Sequence, residues 1–130
     1  MDPWDLYKGY HGTKKTLLGL DKEIHEVDML IVKQLRELEG LEITRSRAEE
    51  KSKDPANSEA IRDFYKSELK RIEKSTKRAQ AWLEINEAQK RRLKVEFEIE
   101  AEAVGELLKK IYDNKDPNFL AFQDLLGKVE

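Results

Sequence analysis

The stretch from Ser58 to Asn114 contains no proline and a single glycine, Gly105. Apolar and small residues recur through it in alternating steps of three and four, as core positions of a coiled coil do. The stretch therefore predicts one long helix, and its stripe must be buried against another helix. The stripe consists of Tyr65, Leu69, Ile72, Thr76, Ala79, Leu83, Asn86, Lys90, Leu93, Phe97, Glu100, Val104, Leu107 and Ile111.

A second stripe with the same spacing lies upstream and predicts a first helix over residues 13–53. Thr13 or Thr16 can cap its start. Gly19 and Gly40 lie inside it and each costs up to ~1 kcal/mol relative to alanine. Because the stripe continues through both glycines, we expect one uninterrupted helix. Its members are Leu17, Leu20, Ile24, Val27, Ile31, Gln34, Leu38, Leu41, Arg45 and Ala48.

Residues 54–58 combine turn-forming residues and predict the reversal between the two helices. Pro55 lacks a backbone donor and biases Asp54 away from helical geometry. Ser58 or Asn57 can then cap the first free amides of the long helix, predicted over residues 59–114. A reversal centred on Pro55 makes facing residue numbers add up to about 110, because the helices are antiparallel. This register predicts Gln34 opposite Thr76, and Arg45 opposite Tyr65.

Both ends of the chain are rich in aromatic residues. Residues 1–12 are predicted to be a short arm that docks, and Asp116-Pro117 looks like a cap that opens a short helix over residues 116–128. We expect the two ends to cover the open end of the hairpin, on the same chain or on a neighbouring subunit. The terminal cluster comprises Trp4, Tyr7, Tyr10, Phe119, Phe122 and Leu126.

Together these elements predict an all-α protein with a single elongated helical domain, residues 1–130. The expected fold is a long antiparallel helical hairpin, a coiled coil, with the short N-terminal arm and the short C-terminal helix packed at its open end. Charged residues make up 40% of the chain, with both signs interspersed, as in long solvated helices with narrow apolar stripes.

Net charge is −2, but its distribution is uneven. Residues 44–94 carry a net charge of +6, against −3 for residues 1–43 and −5 for residues 95–130. The tip of the hairpin is therefore basic and could follow a phosphate backbone or contact an acidic protein. Acidic residues interleave with this row, so a salt-bridged, solvated helix face is the default interpretation. The basic tip is Arg62, Lys66, Lys70, Lys74 and Arg78.

A further set of apolar residues lies off the main stripes, where a simple two-helix hairpin would leave them in water. Exposed apolar stripes usually mark another contact, and the C-terminal helix is too short to reach Trp82. We therefore expect an intermolecular contact there. The predicted partner-binding residues are Met29, Val32, Trp82, Ile85, Val95 and Ile99.

Candidate chemistry is sparse. The chain has no cysteine, which excludes disulfides and thiolate zinc sites. Asp21, His25 and Asp28 share one helical face, but a bundle metal site needs a matching histidine, and His11 lies in the arm. We expect a solvated face, no metal and no cofactor. No nucleophile and base stand together, and a narrow two-helix seam offers no substrate pocket, so we expect no catalytic residues and no enzyme activity.

The sequence therefore favours a non-enzymatic structural or assembly protein of the scaffold, adaptor or virion-component kind. It would form a homo-oligomer or belong to a larger protein assembly. Two alternatives are a nucleic-acid-associated regulator that uses the basic tip, and a small inhibitor of a target protein. No secretory signal and no membrane-spanning run are visible, so we expect a soluble protein located in the cytoplasm, or within a virion or other assembly.

Overall fold

The structure, a computed structural model, describes residues 3–129. These residues form three helices, α1 (Pro3–Lys53), α2 (Glu59–Tyr112) and α3 (Pro117–Val129). α1 and α2 pack against each other as a hairpin, and α3 is a short C-terminal helix. The predicted fold class, an all-α helical hairpin with a short C-terminal helix, is confirmed.

The contacts among the described residues divide the chain into two units. The turn unit is Glu26–Lys90, and the terminal unit comprises the residues up to His25 together with those from Arg91 onward. Each unit contains one segment of α1 and one of α2, and α3 belongs to the terminal unit.

The reversal occupies the predicted residues 54–58, and its polar side chains explain why both helices end there. The Ala56 amide donates to Asp54 Oδ1 at 2.9 Å, and Asn57 Nδ2 donates to the Lys51 carbonyl at 3.0 Å, which satisfies one of the last carbonyls of α1. The Ile61 amide donates to Ser58 Oγ at 3.3 Å, so Ser58 caps α2 as predicted.

The two heptad stripes are the buried faces of α1 and α2. Every member of both stripes is buried or half-buried, whereas most residues between them are exposed. Ile72 and Leu93 are only 2% and 1% exposed. Burial of these stripes, rather than helix propensity, supplies most of the stability of such long helices.

The register of the hairpin differs from the one that the sequence predicts. In the turn unit, Asn86 Nδ2 donates to Gln34 Oε1 at 2.9 Å, and the Lys51 ammonium lies over the Tyr65 ring, 5.2 Å from its centroid. Lys90 pairs with Asp28. Facing residue numbers in these pairs add up to 116 to 120, about one heptad beyond the predicted 110.

The predicted pairings of Gln34 with Thr76 and of Arg45 with Tyr65 are therefore wrong. The Thr76 hydroxyl donates to the Ile72 carbonyl of its own helix at 2.9 Å, and Arg45 binds carboxylates of α1 instead. Two registers that differ by one heptad both place the apolar stripe of α1 against the apolar stripe of α2. The observed register also lets the buried Asn86 amide find a partner, because an unpaired amide in the seam is costly.

A double-mutant cycle on the seam amides tests this register. Asn86→Ala should lower the free energy of unfolding by about 1–3 kcal/mol, because it removes a buried hydrogen bond, and its effect should couple with that of Gln34→Ala by about 0.5–3 kcal/mol. Urea unfolding measures both. The matched control is the Gln34→Ala and Thr76→Ala cycle, for which the coupling should be close to zero. If only Gln34 and Thr76 showed coupling, the result would support the register predicted from the sequence.

α1 begins at Pro3 rather than at Thr13, so the predicted separate arm is instead the first part of this helix. Leu6 and Tyr10 are 7% and 4% exposed, and with Thr13 they continue the steps of three and four upstream of the predicted stripe. Burial of these two side chains stabilises the helix by ~1.5–3 kcal/mol each. This gain outweighs the ~1 kcal/mol that Gly9 and Gly12 each cost in helix propensity.

α2 ends two residues before its predicted end, and α3 is shifted by one residue from its predicted range. The Asn118 amide donates to Asp116 Oδ1 at 2.9 Å, which confirms the predicted cap. Gln123 Nε2 donates to the carbonyls of Ile111 and Asn114, at 2.7 and 3.1 Å. These bonds tie α3 to the last turn of α2 and to the connection that follows it.

Candidate interaction surfaces

The terminal cluster forms within one chain. Tyr10, Phe119, Phe122 and Leu126 are buried with Ile111, which is fully buried, and with Leu6. Leu6 was missed in the predicted cluster, although its heptad spacing relative to Tyr10 signals it. Of the two alternatives left open by the sequence, the structure shows the cluster on the same chain.

Trp4 and Tyr7 line the rim of this cluster. Their ring centroids lie 5.5 and 5.6 Å from that of Phe122, in edge-to-face geometry that aromatic pairs prefer. Tyr7 is half-buried, but Trp4 is 57% exposed.

A cavity of about 500 Å³ lies beside Trp4 in the terminal unit. Among the described residues that line it, only Asp116 is ionisable, and its carboxylate already caps α3. The cavity is therefore suited to packing of apolar groups rather than to proton transfer or metal binding. Its lining is Pro3, Trp4, Asp116, Asn118, Phe119, Ala121, Phe122 and Leu125.

All six predicted partner-binding residues are exposed. In the turn unit, Trp82 and Ile85 lie one turn apart on α2 and are 54% and 53% exposed. We call this pair the Trp82 surface. Met29 and Val32, one turn apart on α1, are also exposed, as are Val95 and Ile99 in the terminal unit.

The turn unit exposes further large apolar side chains that sequence reasoning did not assign to a contact. All of those named here lie off the heptad stripes, and that position was the only sequence signal of their exposure. They are Leu30, Leu35, Ile43, Ile61 and Phe64. A shallow cavity of about 270 Å³ also adjoins Trp82 and is lined by Gln34, Glu37, Ser75, Arg78, Ala79 and Trp82.

The basic tip divides into paired and unpaired cations. Lys66 Nζ lies 4.0 Å from Asp63 Oδ1, whereas Lys70, Lys74 and Arg78 make no ion pair or side-chain hydrogen bond with the described residues. Arg62 Nε is buried without a hydrogen-bond partner among those residues.

Neighbouring cations outside that row are neutralised locally. Arg71 Nη2 lies 2.7 Å from Glu68 Oε2, and Lys77 Nζ lies 3.3 Å from Glu73 Oε1. The interpretation of the tip as a solvated, salt-bridged face therefore describes these residues. Lys70, Lys74 and Arg78 are also exposed to solvent but make no salt bridge with the described residues.

Arg45 lies between two carboxylates on α1, at 2.6 Å from Glu42 and 2.7 Å from Glu49. The hydrogen bond from Arg45 lowers the pKa of Glu42, and a hydrogen bond from Lys53 is the main cause that lowers the pKa of Glu49. Because both pKa values are lower in the folded protein, any stabilisation is present above the unfolded-state pKa and is lost as pH falls through the folded-state pKa. The network is exposed, so its contribution is small.

Asp21, His25 and Asp28, the three residues considered above as metal ligands, do not all contact one another. His25 Nδ1 lies 2.8 Å from the Asp21 carbonyl oxygen and 3.7 Å from Asp21 Oδ1, with both side chains more than half exposed. Asp28 forms its ion pair with Lys90. Residues 3–129 contain no group of three His, Asp or Glu side chains that could hold a metal ion.

Comparison with protein-family models, curated proteins and solved structures finds no match to this chain. None of the helices formed by residues 3–129 is both long and apolar enough to cross a membrane.

Proposed function

We propose that the chain is a non-enzymatic structural or assembly protein that self-associates, or docks on a larger complex, through exposed apolar residues of the hairpin. The observation that carries this proposal is the Trp82 surface. Trp82 and Ile85 are more than half exposed, although the hairpin has already covered both heptad stripes. Tryptophan is enriched among the residues that dominate binding energy at protein interfaces.

The chemistry of the cavities supports a role without catalysis. Among the described residues, the cavity in the terminal unit offers one ionisable side chain, which is engaged in capping α3. The shallow cavity beside Trp82 offers Ser75, Glu37 and Arg78, and Ser75 makes no side-chain hydrogen bond to a base among the described residues. Nucleophilic catalysis requires a nucleophile that is activated by such a base or by a metal.

A second candidate function is nucleic-acid binding, and the unpaired Lys70, Lys74 and Arg78 favour it. Binding through these cations would weaken steeply with salt, because each phosphate contact releases counterions. A titration with duplex and single-stranded nucleic acid at two salt concentrations, with the wild type and a charge-reversed variant, tests this candidate.

The test of the proposed function is the double substitution Trp82→Glu and Ile85→Glu. Light scattering should show a dimer or larger species for the wild type and a smaller species for the variant, because charges would enter an apolar contact. Circular dichroism should show unchanged helicity, since both side chains are exposed in the single chain.

The matched control is Ile61→Glu with Phe64→Glu, which places the same two charges on apolar residues one turn apart on α2, outside the Trp82 surface and also exposed. It should leave the assembly unchanged. Two results together would contradict the proposal. The wild type would be monomeric at micromolar concentration, and pull-downs from the native source would recover the same proteins with the wild type as with the double variant.

A further inference from the structure

α2 carries two rows of like charge whose spacings mirror each other. In the turn unit the row is Lys70, Lys74, Arg78, and it is followed three residues later by Ala81. In the terminal unit Val95 is followed three residues later by the row Glu98, Glu102, Glu106. The first row therefore has steps of four, four and three, and the second has steps of three, four and four. We call them the basic row and the acidic row.

Both rows are exposed and lack partners among residues 3–129. None of the six charged residues makes an ion pair or side-chain hydrogen bond with the described residues, although their neighbours Arg71, Lys77 and Arg92 do. Like charges four residues apart repel each other on one helical face and destabilise the helix. Each row repeats this unfavourable spacing twice, and neutralisation by an external group would relieve it.

We propose that the basic row of one copy packs antiparallel against the acidic row of a second copy. In this arrangement Lys70 faces Glu106 of the second copy, Lys74 faces Glu102 and Arg78 faces Glu98, while Ala81 faces Val95. Every position of one row then meets an opposite charge or an apolar side chain of the other. The inference rests on the proposed self-association and names the occupant and orientation of one contact.

The spacing selects an antiparallel contact between copies. A parallel alignment of the rows would place Ala81 three residues beyond the last acidic residue, and would leave Val95 without an apolar partner. Both rows belong to one continuous helix, α2, so they cannot close on each other within a single copy.

Apolar residues lie at or beside each row. Ala81 is small enough for two helices to approach at the usual interaxial distance of about 8–10 Å. Ile85 lies one turn beyond Ala81, whereas Ile99 lies beside the acidic row, between Glu98 and Glu102, and both isoleucines are exposed. The contact therefore combines ion pairs that define its register with apolar surface that drives association.

A polyanion such as nucleic acid explains only half of these observations. It would neutralise the basic row but leave the acidic row, with its mirrored spacing, uncompensated. A second copy accounts for both rows and for the apolar residue at the end of each, so the observations favour it.

Charge reversal tests the contact in the full-length chain. The basic-row variant is Lys70→Glu, Lys74→Glu and Arg78→Glu, and the acidic-row variant is Glu98→Lys, Glu102→Lys and Glu106→Lys. Each alone should raise the dissociation constant for self-association, measured by sedimentation velocity, by more than about a hundredfold, because like charges would face each other. The matched control for the basic-row variant is Lys22→Glu, Lys33→Glu and Arg36→Glu. It makes the same change in net charge at exposed α1 residues and should leave the dissociation constant nearly unchanged.

The variant that carries both reversals provides the sharper result. It keeps the net charge of the wild type, and its rows are complementary again, so it should self-associate with nearly wild-type affinity. It should not mix with wild-type copies, since its reversed rows would meet wild-type rows of the same charge. Energy transfer between separately labelled preparations measures this mixing.

Each outcome bears on the inference. Self-association that survives both single-row reversals but is lost in Trp82→Glu with Ile85→Glu overturns this contact and leaves the proposed function standing. A monomeric wild type, or a combined variant that stays monomeric while retaining wild-type helicity, also overturns it. Loss of nucleic-acid binding in the basic-row variant, with no change in its oligomeric mass, would assign that row to a polyanion instead.

Discussion

Deletion of residues 1–12 should lower the free energy of unfolding by about 3–6 kcal/mol, because it removes two buried side chains worth ~1.5–3 kcal/mol each. These are Leu6 and Tyr10, which pack in one cluster with the fully buried Ile111. The deletion would also expose Phe119 and Phe122, so solubility should fall. Denaturant unfolding followed by circular dichroism measures the loss, and light scattering detects aggregation.

The control for this deletion is Lys8→Ala in the full-length chain. Lys8 lies between the two buried residues of the same helical segment and is exposed, so its loss should change stability by less than about 0.5 kcal/mol. An unfolding midpoint that stays the same after the deletion would show that the segment is a free tail, contrary to its burial in the structure.

Ile72→Ala should lower the free energy of unfolding by about 2–5 kcal/mol, the usual range for an isoleucine whose removal leaves a cavity in a core. Ile72 is 2% exposed and lies in the α2 stripe of the turn unit. Thermal and urea unfolding should both report the loss, with a lower midpoint and an unchanged dependence on denaturant.

Ile85→Ala is the matched control, because it changes the same residue type on the same helix of the same unit. Ile85 is 53% exposed, so in the monomeric chain the substitution should cost less than about 0.5 kcal/mol. Equal losses for the two variants under dilute conditions would contradict the assignment of the buried face. A loss for Ile85→Ala that appears only at high protein concentration would instead indicate its burial between copies.

Much of the fold could be predicted because heptad periodicity is local information. The steps of three and four place one face of each long helix in the seam wherever a partner helix is available. Pro55 and Ser58 similarly define the turn through backbone chemistry that acts within a few residues. The same periodicity left Trp82 and Ile85 outside the seam, and the structure places both in solvent.

The start of α1 was mispredicted for a reason that the sequence itself contains. Residues 1–12 were predicted to be a separate arm, whereas Leu6 and Tyr10 continue the stripe through Gly9 and Gly12. Local propensity is weak compared with burial, so the packing of these two side chains in the terminal cluster decides the helix start.

The sequence by itself determined the helical hairpin, its turn and the faces that the helices bury. Only the tertiary structure decided the register, the placement of both ends in one cluster on the same chain, and the division of the basic tip into paired and unpaired cations. These features depend on contacts between residues far apart in the sequence. Heptad patterns are nearly unchanged by a shift of seven residues, so the Gln34–Asn86 hydrogen bond and similar individual contacts select one alignment from several of comparable apolar burial.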